Sequence, residues 1–154
     1  MEGCVNMYTP EEFDTLKTKV LKYVLYKKRT KQEVIMKFCR TIDSEILDDI
    51  IENLEENGYI SDNDYIERAI NEFKALNHLS LKEVKYKLLS KGISNDIIDD
   101  YFSNNLEELM SYELDSARII ALKKSGLMDT NEITQFLMKK GYREESIKYA
   151  IESL

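Results

Sequence analysis

Three stretches of this chain follow one pattern. They are TKQEVIMKFCRTIDSEILDD (30–49), SLKEVKYKLLSKGISNDIIDD (80–100) and DTNEITQFLMKKGYREESIKYA (129–150). Each opens on a small polar residue followed three positions later by Glu: Thr30 with Glu33, Ser80 with Glu83, Asp129 with Glu132. That is the capping-box spacing. The first side chain accepts a hydrogen bond from a free N–H at a helix start, and the Glu reaches back to the cap backbone. One such match is weak, but three at intervals of 50 and 49 residues keep a register that chance does not.

The residues after each cap also correspond. Val34, Ile35 and Phe38 match Val84, Leu88 and Leu89, and then Ile133, Leu137 and Met138. In two copies the helix stops at Lys-Gly, Lys91-Gly92 and Lys140-Gly141, where glycine can take a left-handed conformation without a Cβ clash. The first copy has Arg40-Thr41 there and is one residue shorter, so its turn must be built differently. A second amphipathic run follows in each copy. Its apolar stripe is Ile42, Ile46, Leu47, Ile50, Ile51 and Leu54 in the first copy, and Ile93, Ile97, Ile98, Tyr101 and Phe102 in the second. In the third it is Ile147, Ala150, Ile151 and Leu154; all three stripes are read as core.

A further helix is predicted ahead of each pair, over 10–28, 62–77 and 105–125, the first opened by Thr9-Pro10. The fold class expected is therefore all-α, with nine helices in three tandem three-helix repeats. The boundaries are a short N-terminal segment 1–14 and repeats 15–61, 62–104 and 105–154. A three-helix unit of this size buries little by itself, so neighbouring units should share faces in an elongated, gently curved array. Such an array presents a long surface rather than a pocket.

Composition agrees with this and excludes several function classes. One Pro and five Gly are few for a β-rich chain with many tight turns. No apolar run of membrane-spanning length is present, and MEGCVNMYTPEEF lacks a basic-then-apolar leader pattern, so a cytoplasmic protein without membrane association is expected. Cys4 and Cys39 form no CxxC pair and His78 is the only histidine, so no metal cluster can be assembled by spacing. Both cysteines are read as free thiols, with Cys39 in the core between Phe38 and Ile42. His78 is read as a solvated or capping residue at a helix end. There is no phosphate-cradling glycine loop, no GxSxG and no HExxH. No catalytic residue, cofactor or metal is expected, and a binding protein is the default.

Charge is segregated along the chain. Net charge is −7, yet residues 17–40 hold nine Lys/Arg against Glu33 alone, whereas 41–67 hold ten Asp/Glu and no Lys or Arg. Residues 73–91 then carry five Lys against Glu83, and 92–117 carry seven acids and no Lys or Arg. The third copy clusters Lys123, Lys124, Lys139, Lys140, Arg143 and Lys148. Such runs form solvated faces that pair with one another, or basic patches suited to a polyanion or an acidic protein groove. The overall negative charge argues against tight non-specific DNA binding as the main activity.

Several of these residues resemble a known family. GYISDNDYIERAI (58–70) is similar to the Gly-aromatic-aliphatic-x-Asp-x-x-Tyr-Ala signature of RecX regulatory proteins. KGI (91–93), KKGY (139–142) and RTKQEV (29–34) resemble that family's recurrent turns and helix start. The resemblance covers about residues 15–154. It implies tandem three-helix repeats and a non-catalytic protein that binds the RecA recombinase as its filament on single-stranded DNA. In that role it would inhibit filament assembly, ATP hydrolysis and strand exchange, with effects on DNA repair and the SOS response. On this reading Gly58, Tyr59, Asp62, Tyr65, Gly92 and Gly141 are family positions with mainly structural roles, Asp62 capping the helix on which Tyr65 lies. The candidate partner-binding residues are Lys85, Lys87, Lys91, Lys123, Lys124, Lys139, Lys140 and Arg143. A monomer is expected, with at most weak binding of single-stranded DNA. The rivals are a direct DNA binder using helix-turn-helix-like pairs and a general α-helical adaptor. Two departures from the family are visible. Relatives often carry additional residues ahead of the repeats where this chain has 1–14, and the first copy lacks its Lys-Gly turn.

Overall fold

Each of the three expected caps starts a helix. In the computed structural model, which describes residues 8–154, the chain forms nine α-helices and no strand among the described residues. In order they are α1 (Pro10–Tyr26), α2 (Lys31–Phe38), α3 (Ser44–Glu56), α4 (Asp62–Leu76), α5 (Leu81–Ser90), α6 (Asn95–Asn104), α7 (Leu106–Lys124), α8 (Thr130–Lys140) and α9 (Glu144–Glu152). Thr30, Ser80 and Asp129 all sit at N-caps with complete capping boxes. A fourth box, Thr9 with Glu12, starts α1 beside Pro10.

The turns follow the glycine argument. Gly92 and Gly141 take φ of +85° and +91°, and the next N–H bonds back to the last helical turn, Ile93 to Leu88 O at 3.4 Å and Tyr142 to Leu137 O at 3.2 Å. In the first copy neither Arg40 nor Thr41 has a positive φ, and Ile42 N–H reaches Phe38 O at 2.9 Å, a tighter closure that uses one residue fewer. Gly58 makes the same left-handed stop after α3, at φ +78°. It turns the chain so that Ile60 is buried while Tyr59 stays exposed.

The chain divides into two compact units, Met1–Tyr65 and Ile66–Leu154. The first has its own core of Val20 and Val24 from α1, Val34 from α2, Leu47, Ile50, Ile51 and Leu54 from α3, with Ile42 and Ile60 from the turns. In the second, Ala117, Ile120 and Ala121 of α7 pack with Ile133 and Leu137 of α8 and with Tyr142, Ile147 and Ala150. Small residues on the facing sides of α7 and α9, Ser116 and Ala117 against Ser146 and Ala150, are fully buried, which lets these two helices approach closely. Ile66, Ile70, Leu79, Val84, Leu88, Ile93, Ile98, Leu109 and Tyr112 complete the buried apolar set of this unit.

Two expected core positions, Cys39 and Leu154, lie outside, as do two residues that correspond between copies, Leu89 and Met138. Cys39 is exposed at the C-cap of α2, and Leu89, Met138 and Leu154 are also exposed. Cys39, Leu89 and Met138 each follow the inward position of the last turn (Phe38, Leu88, Leu137), and one residue rotates a helical side chain by about 100° away from it. Leu154 lies beyond the end of α9. His78 is exposed and follows Asn77, which closes α4 with φ +53°. Cys4 lies outside the described residues.

Candidate functional site

The eight basic residues picked as a binding surface separate into two groups. Three are committed inside the second unit: Lys85 Nζ to Asp99 Oδ1 at 2.9 Å, Lys140 Nζ to Glu83 Oε2 at 3.1 Å, and Arg143 Nε to Glu113 Oε1 at 2.8 Å. Lys124 lies over the Phe136 ring at 4.9 Å, and Lys91 forms the C-cap of α5. Lys87, Lys123 and Lys139 are exposed and make no ion pair among the described residues. Lys139 borders a shallow depression on α8 with Met128 and Phe136.

Arg143 belongs to a buried polar clasp. Glu113, on α7, has no solvent exposure, and its carboxylate accepts four hydrogen bonds. Donors are Leu81 N at 2.9 Å, Arg143 N at 3.3 Å, Arg143 Nε at 2.8 Å and Ser146 Oγ at 2.7 Å. Burial alone would push this carboxyl up, but bonds from Ser146, Leu81 and Arg143 together outweigh it and hold the group below its ordinary value. Ser80 Oγ donates to Lys140 O at 2.7 Å, and Tyr112 donates to Leu79 O at 2.8 Å. These groups join α5, α7 and the α8–α9 turn, and Glu113, Ser80, Ser116 and Ser146 among them face no solvent, so their role is structural.

Asp62 does the corresponding work in the first unit. It is the first residue of α4 and does not cap that helix; Ser61 Oγ accepts the Asp64 N–H instead. Asp62 Oδ1 accepts the N–H of Lys31, the first residue of α2, at 2.9 Å, as Glu113 does for Leu81, the first residue of α5. Its carboxyl is raised above the ordinary value by burial, which its hydrogen bond from Lys31 does not offset.

The surface that sequence reasoning passed over lies on α1 and α2. Of the nine Lys/Arg within residues 17–40, only Lys31 has an ion-pair partner among the described residues, Glu55 at 3.5 Å. The centre of the face is Tyr23. The Arg29 guanidinium lies 3.9 Å above its ring and Lys37 Nζ 5.7 Å away, while Phe38 meets it edge-on at 5.5 Å. Lys19 stands one turn before Tyr23 on α1, and Tyr26, 83% exposed, stands three residues after it. Apart from Glu33 in the capping box of α2, the described acids of this unit lie on or beside α3, at the starts of α1 and α4, and among them only Glu55 pairs with a cation of the face. Stacking fixes Arg29 and Lys37 without consuming their charge, which keeps a dense positive field within a Debye length. The signal was in the charge run of 17–40, the most basic in the chain. Sequence alone could not tell which basic runs are neutralised by the fold.

Among the described residues no group of three His, Cys, Asp or Glu is placed to hold a metal ion, and no helix is long and apolar enough to cross a membrane. No family model matches the chain. Individual proteins do. The chain is 30% identical over 154 residues to the regulatory protein RecX of Clostridium beijerinckii, covering 94% of this chain and 70% of that one. It is 32% identical over 139 residues to RecX of Finegoldia magna, covering 83% and 66% respectively, and 31% identical over 156 residues to RecX of Lactococcus lactis, covering 94% and 56%. The chain thus spans about half to two thirds of the length of most of the curated relatives it matches. The fold is similar to the crystal structure of RecX from Lactobacillus salivarius, with a TM-score of 0.78 at 24% identity over 95% of this chain and 98% of that one. A second crystal structure of a regulatory protein RecX gives 0.77 at 19% identity, covering 92% and 73%.

Proposed function

The chain belongs to the RecX family of regulatory proteins, and from that premise we propose that it binds the RecA recombinase filament on single-stranded DNA and restrains it. Binding would limit filament assembly, ATP hydrolysis and strand exchange, and so damp DNA repair by recombination and the SOS response. The protein acts without chemistry of its own, as a monomer, in the cytoplasm where the recombinase works. The observation that carries this reading is the match to regulatory proteins over nearly the whole chain. The unpaired cationic face around Tyr23 supplies a contact surface suited to an acidic groove. Single-stranded DNA is at most a weak secondary ligand, because the net charge of −7 opposes phosphate binding away from that face.

The test is a titration of preformed RecA–single-stranded-DNA filaments at physiological salt, with naked single-stranded DNA as control and ATP hydrolysis followed in parallel. Saturable binding with loss of ATPase is the expected result. Charge reversal at Lys19, Lys22 and Lys27, all exposed, should weaken filament binding at least tenfold and flatten its salt dependence while leaving the helical content unchanged. Equal affinity for naked DNA would overturn the reading in favour of a nucleic-acid binder.

A further inference from the structure

Helix α3 carries six carboxylates and no cation: Glu45, Asp48, Asp49, Glu52, Glu55 and Glu56. All six are exposed. At about 100° per residue they fall within about 120° of arc, opposite the buried Leu47, Ile50, Ile51 and Leu54. The fold does little to neutralise them. Glu55 pairs with Lys31 and Asp49 accepts a hydrogen bond from the Tyr8 hydroxyl, while the other four have no ion pair among the described residues. The arrangement also works against the helix itself. Glu45 with Asp49, Asp48 with Glu52 and Glu52 with Glu56 are like charges four residues apart, which destabilise a helix. Glu55 and Glu56 stand in the last turn, where the helix dipole disfavours anions and no basic residue is present. Part of the pattern returns in α6, where Asp96, Asp99 and Asp100 lie 51 residues after Glu45, Asp48 and Asp49 and are likewise exposed. In α9 the same positions hold Glu145, Lys148 and Tyr149, so the third copy does not keep it.

We infer that the outward face of α3 docks on a cationic protein surface that tracks a nucleic-acid backbone, and occupies it in place of the nucleic acid. This rests on the filament binding proposed above and adds a second contact, made by residues other than the cations around Tyr23. Two observations point to this occupant. The first is spacing. Six carboxylates within about 16 Å of helix axis give one charge per about 3 Å, close to the spacing of about 3.4 Å along one DNA strand. Lys and Arg arranged for phosphates therefore meet a matching row of anions. The second is the conflict within α3. A face kept anionic against the stability of its own helix is expected where the charge has a use outside the fold. Other occupants fit less well. Among the described residues no group of three His, Cys, Asp or Glu is placed to hold a metal ion, and nucleic acid itself is repelled by the face. A recombinase that assembles on single-stranded DNA necessarily presents a surface that tracks phosphates. Filling that surface with α3 keeps DNA off the recombinase, a form of restraint that requires no chemistry.

The experiment uses the triple variant Asp48→Asn, Glu52→Gln, Glu56→Gln in the full chain, which keeps side-chain size and removes three unpaired charges. RecA is incubated with parent or variant at physiological salt and then offered a fluorescent single-stranded oligonucleotide, whose binding is read by anisotropy. The affinity of each chain for the oligonucleotide alone is the control. The parent should hold the oligonucleotide off RecA in a concentration-dependent way, and the variant should need at least about tenfold more protein for the same effect. Removing like-charge pairs should leave the melting temperature equal to or above the parent's, so that lost competition is not lost folding. A variant that competes like the parent overturns the α3 contact. A variant that melts well below the parent overturns the use of these charges outside the fold. Poly-glutamate that competes as well as the parent at equal charge reduces the effect to bulk charge and overturns a docked helix. Self-association of the parent that the variant loses, read by sedimentation, overturns the occupant in favour of a second copy. A parent that binds preformed filaments but never holds the oligonucleotide off overturns this inference alone. One that does neither overturns the proposed function first.

Discussion

Glu113→Gln separates the buried clasp from ordinary packing, because the amide keeps the shape and removes the charge. Oε1 receives three of the four donors, from Ser146 and from the backbone and side chain of Arg143, and Oε2 receives only Leu81 N–H. If the amide oxygen stays on the three-donor side, its NH2 group faces the Leu81 N–H, donor against donor. One buried N–H without an acceptor costs about 1–3 kcal/mol. The lost charge also faced the N-termini of α5 and α9, which adds about 0.3–1 kcal/mol for each helix. Arg143 is partly solvated, so its stranded charge adds little. The expected loss is about 2–4 kcal/mol, or about 5–15 °C in melting temperature for a chain of this length. Urea and thermal unfolding followed by circular dichroism at neutral pH measure it. The pH dependence has a definite sign. The folded-state carboxyl is held below its unfolded value, so its contribution is complete above the ordinary carboxylate range and vanishes as pH falls through the depressed value. The gap between parent and variant should therefore close in acid. Equal midpoints at neutral pH, or a gap that persists in acid, would refute this account.

Asp62→Asn should behave in the opposite sense. The folded-state carboxyl is raised by burial, so the stability linked to it is present at low pH and lost as pH rises through that value. The amide keeps an oxygen for Lys31 N–H without the buried charge, so the variant should match or slightly exceed the parent at neutral pH and lose that advantage in acid, as read by melting temperature against pH. The glycines rank by conformation and space. Gly126→Ala, with an ordinary φ and open surroundings, should gain about 0.4–1 kcal/mol, and Gly58→Ala, at φ +78° but with nothing near, should lose about 1 kcal/mol. Gly141→Ala should lose more, about 2 kcal/mol, because its Cβ would also meet Lys82 Cδ at 2.8 Å and Cβ at 3.0 Å; urea midpoints give the order. Finally, Ser80→Asp should cost about 3 kcal/mol, whereas Asp129→Ser should stay within about 0.5 kcal/mol, by the same assay.

Helix starts were legible because a capping box is a local bargain between residues three apart, and all three formed as the spacing required. The glycine stops were legible for the same reason. The fate of Cys39, Leu89 and Met138 was not, since a residue at the edge of an apolar stripe turns inward or outward according to what packs there, and that is decided by the neighbouring helix. Asp62 shows the limit from the other side. Its position before Tyr65 suggested a cap for α4, but its oxygen serves α2, 31 residues back. The charged surface was half legible. Sequence showed where cations cluster, and the fold neutralised Lys85, Lys140 and Arg143 while giving the cations of the α1–α2 face, Lys31 apart, no ion pair among the described residues.

The choice of cap residue follows from what surrounds each helix start. Thr30 and Ser80 are fully buried, and the first N–H beyond each is taken by a carboxylate from a later helix, Asp62 or Glu113. A charged cap there would set two carboxylates against each other out of water, the arrangement that buried like charges avoid. It would also lack a proton to donate, and Ser80 Oγ gives its proton to Lys140 O. A neutral hydroxyl meets both demands. Asp129 is exposed, its Oδ1 accepts from Glu132 N–H at 2.8 Å, and no carboxylate from another helix reaches the amide of Thr130 among the described residues. Solvent screens the charge at that position and the helix dipole favours it. The one capping rule thus selects a hydroxyl where another helix brings its own anion and a carboxylate where none arrives. That is why the same substitution, serine against aspartate, should be severe at 80 and nearly silent at 129.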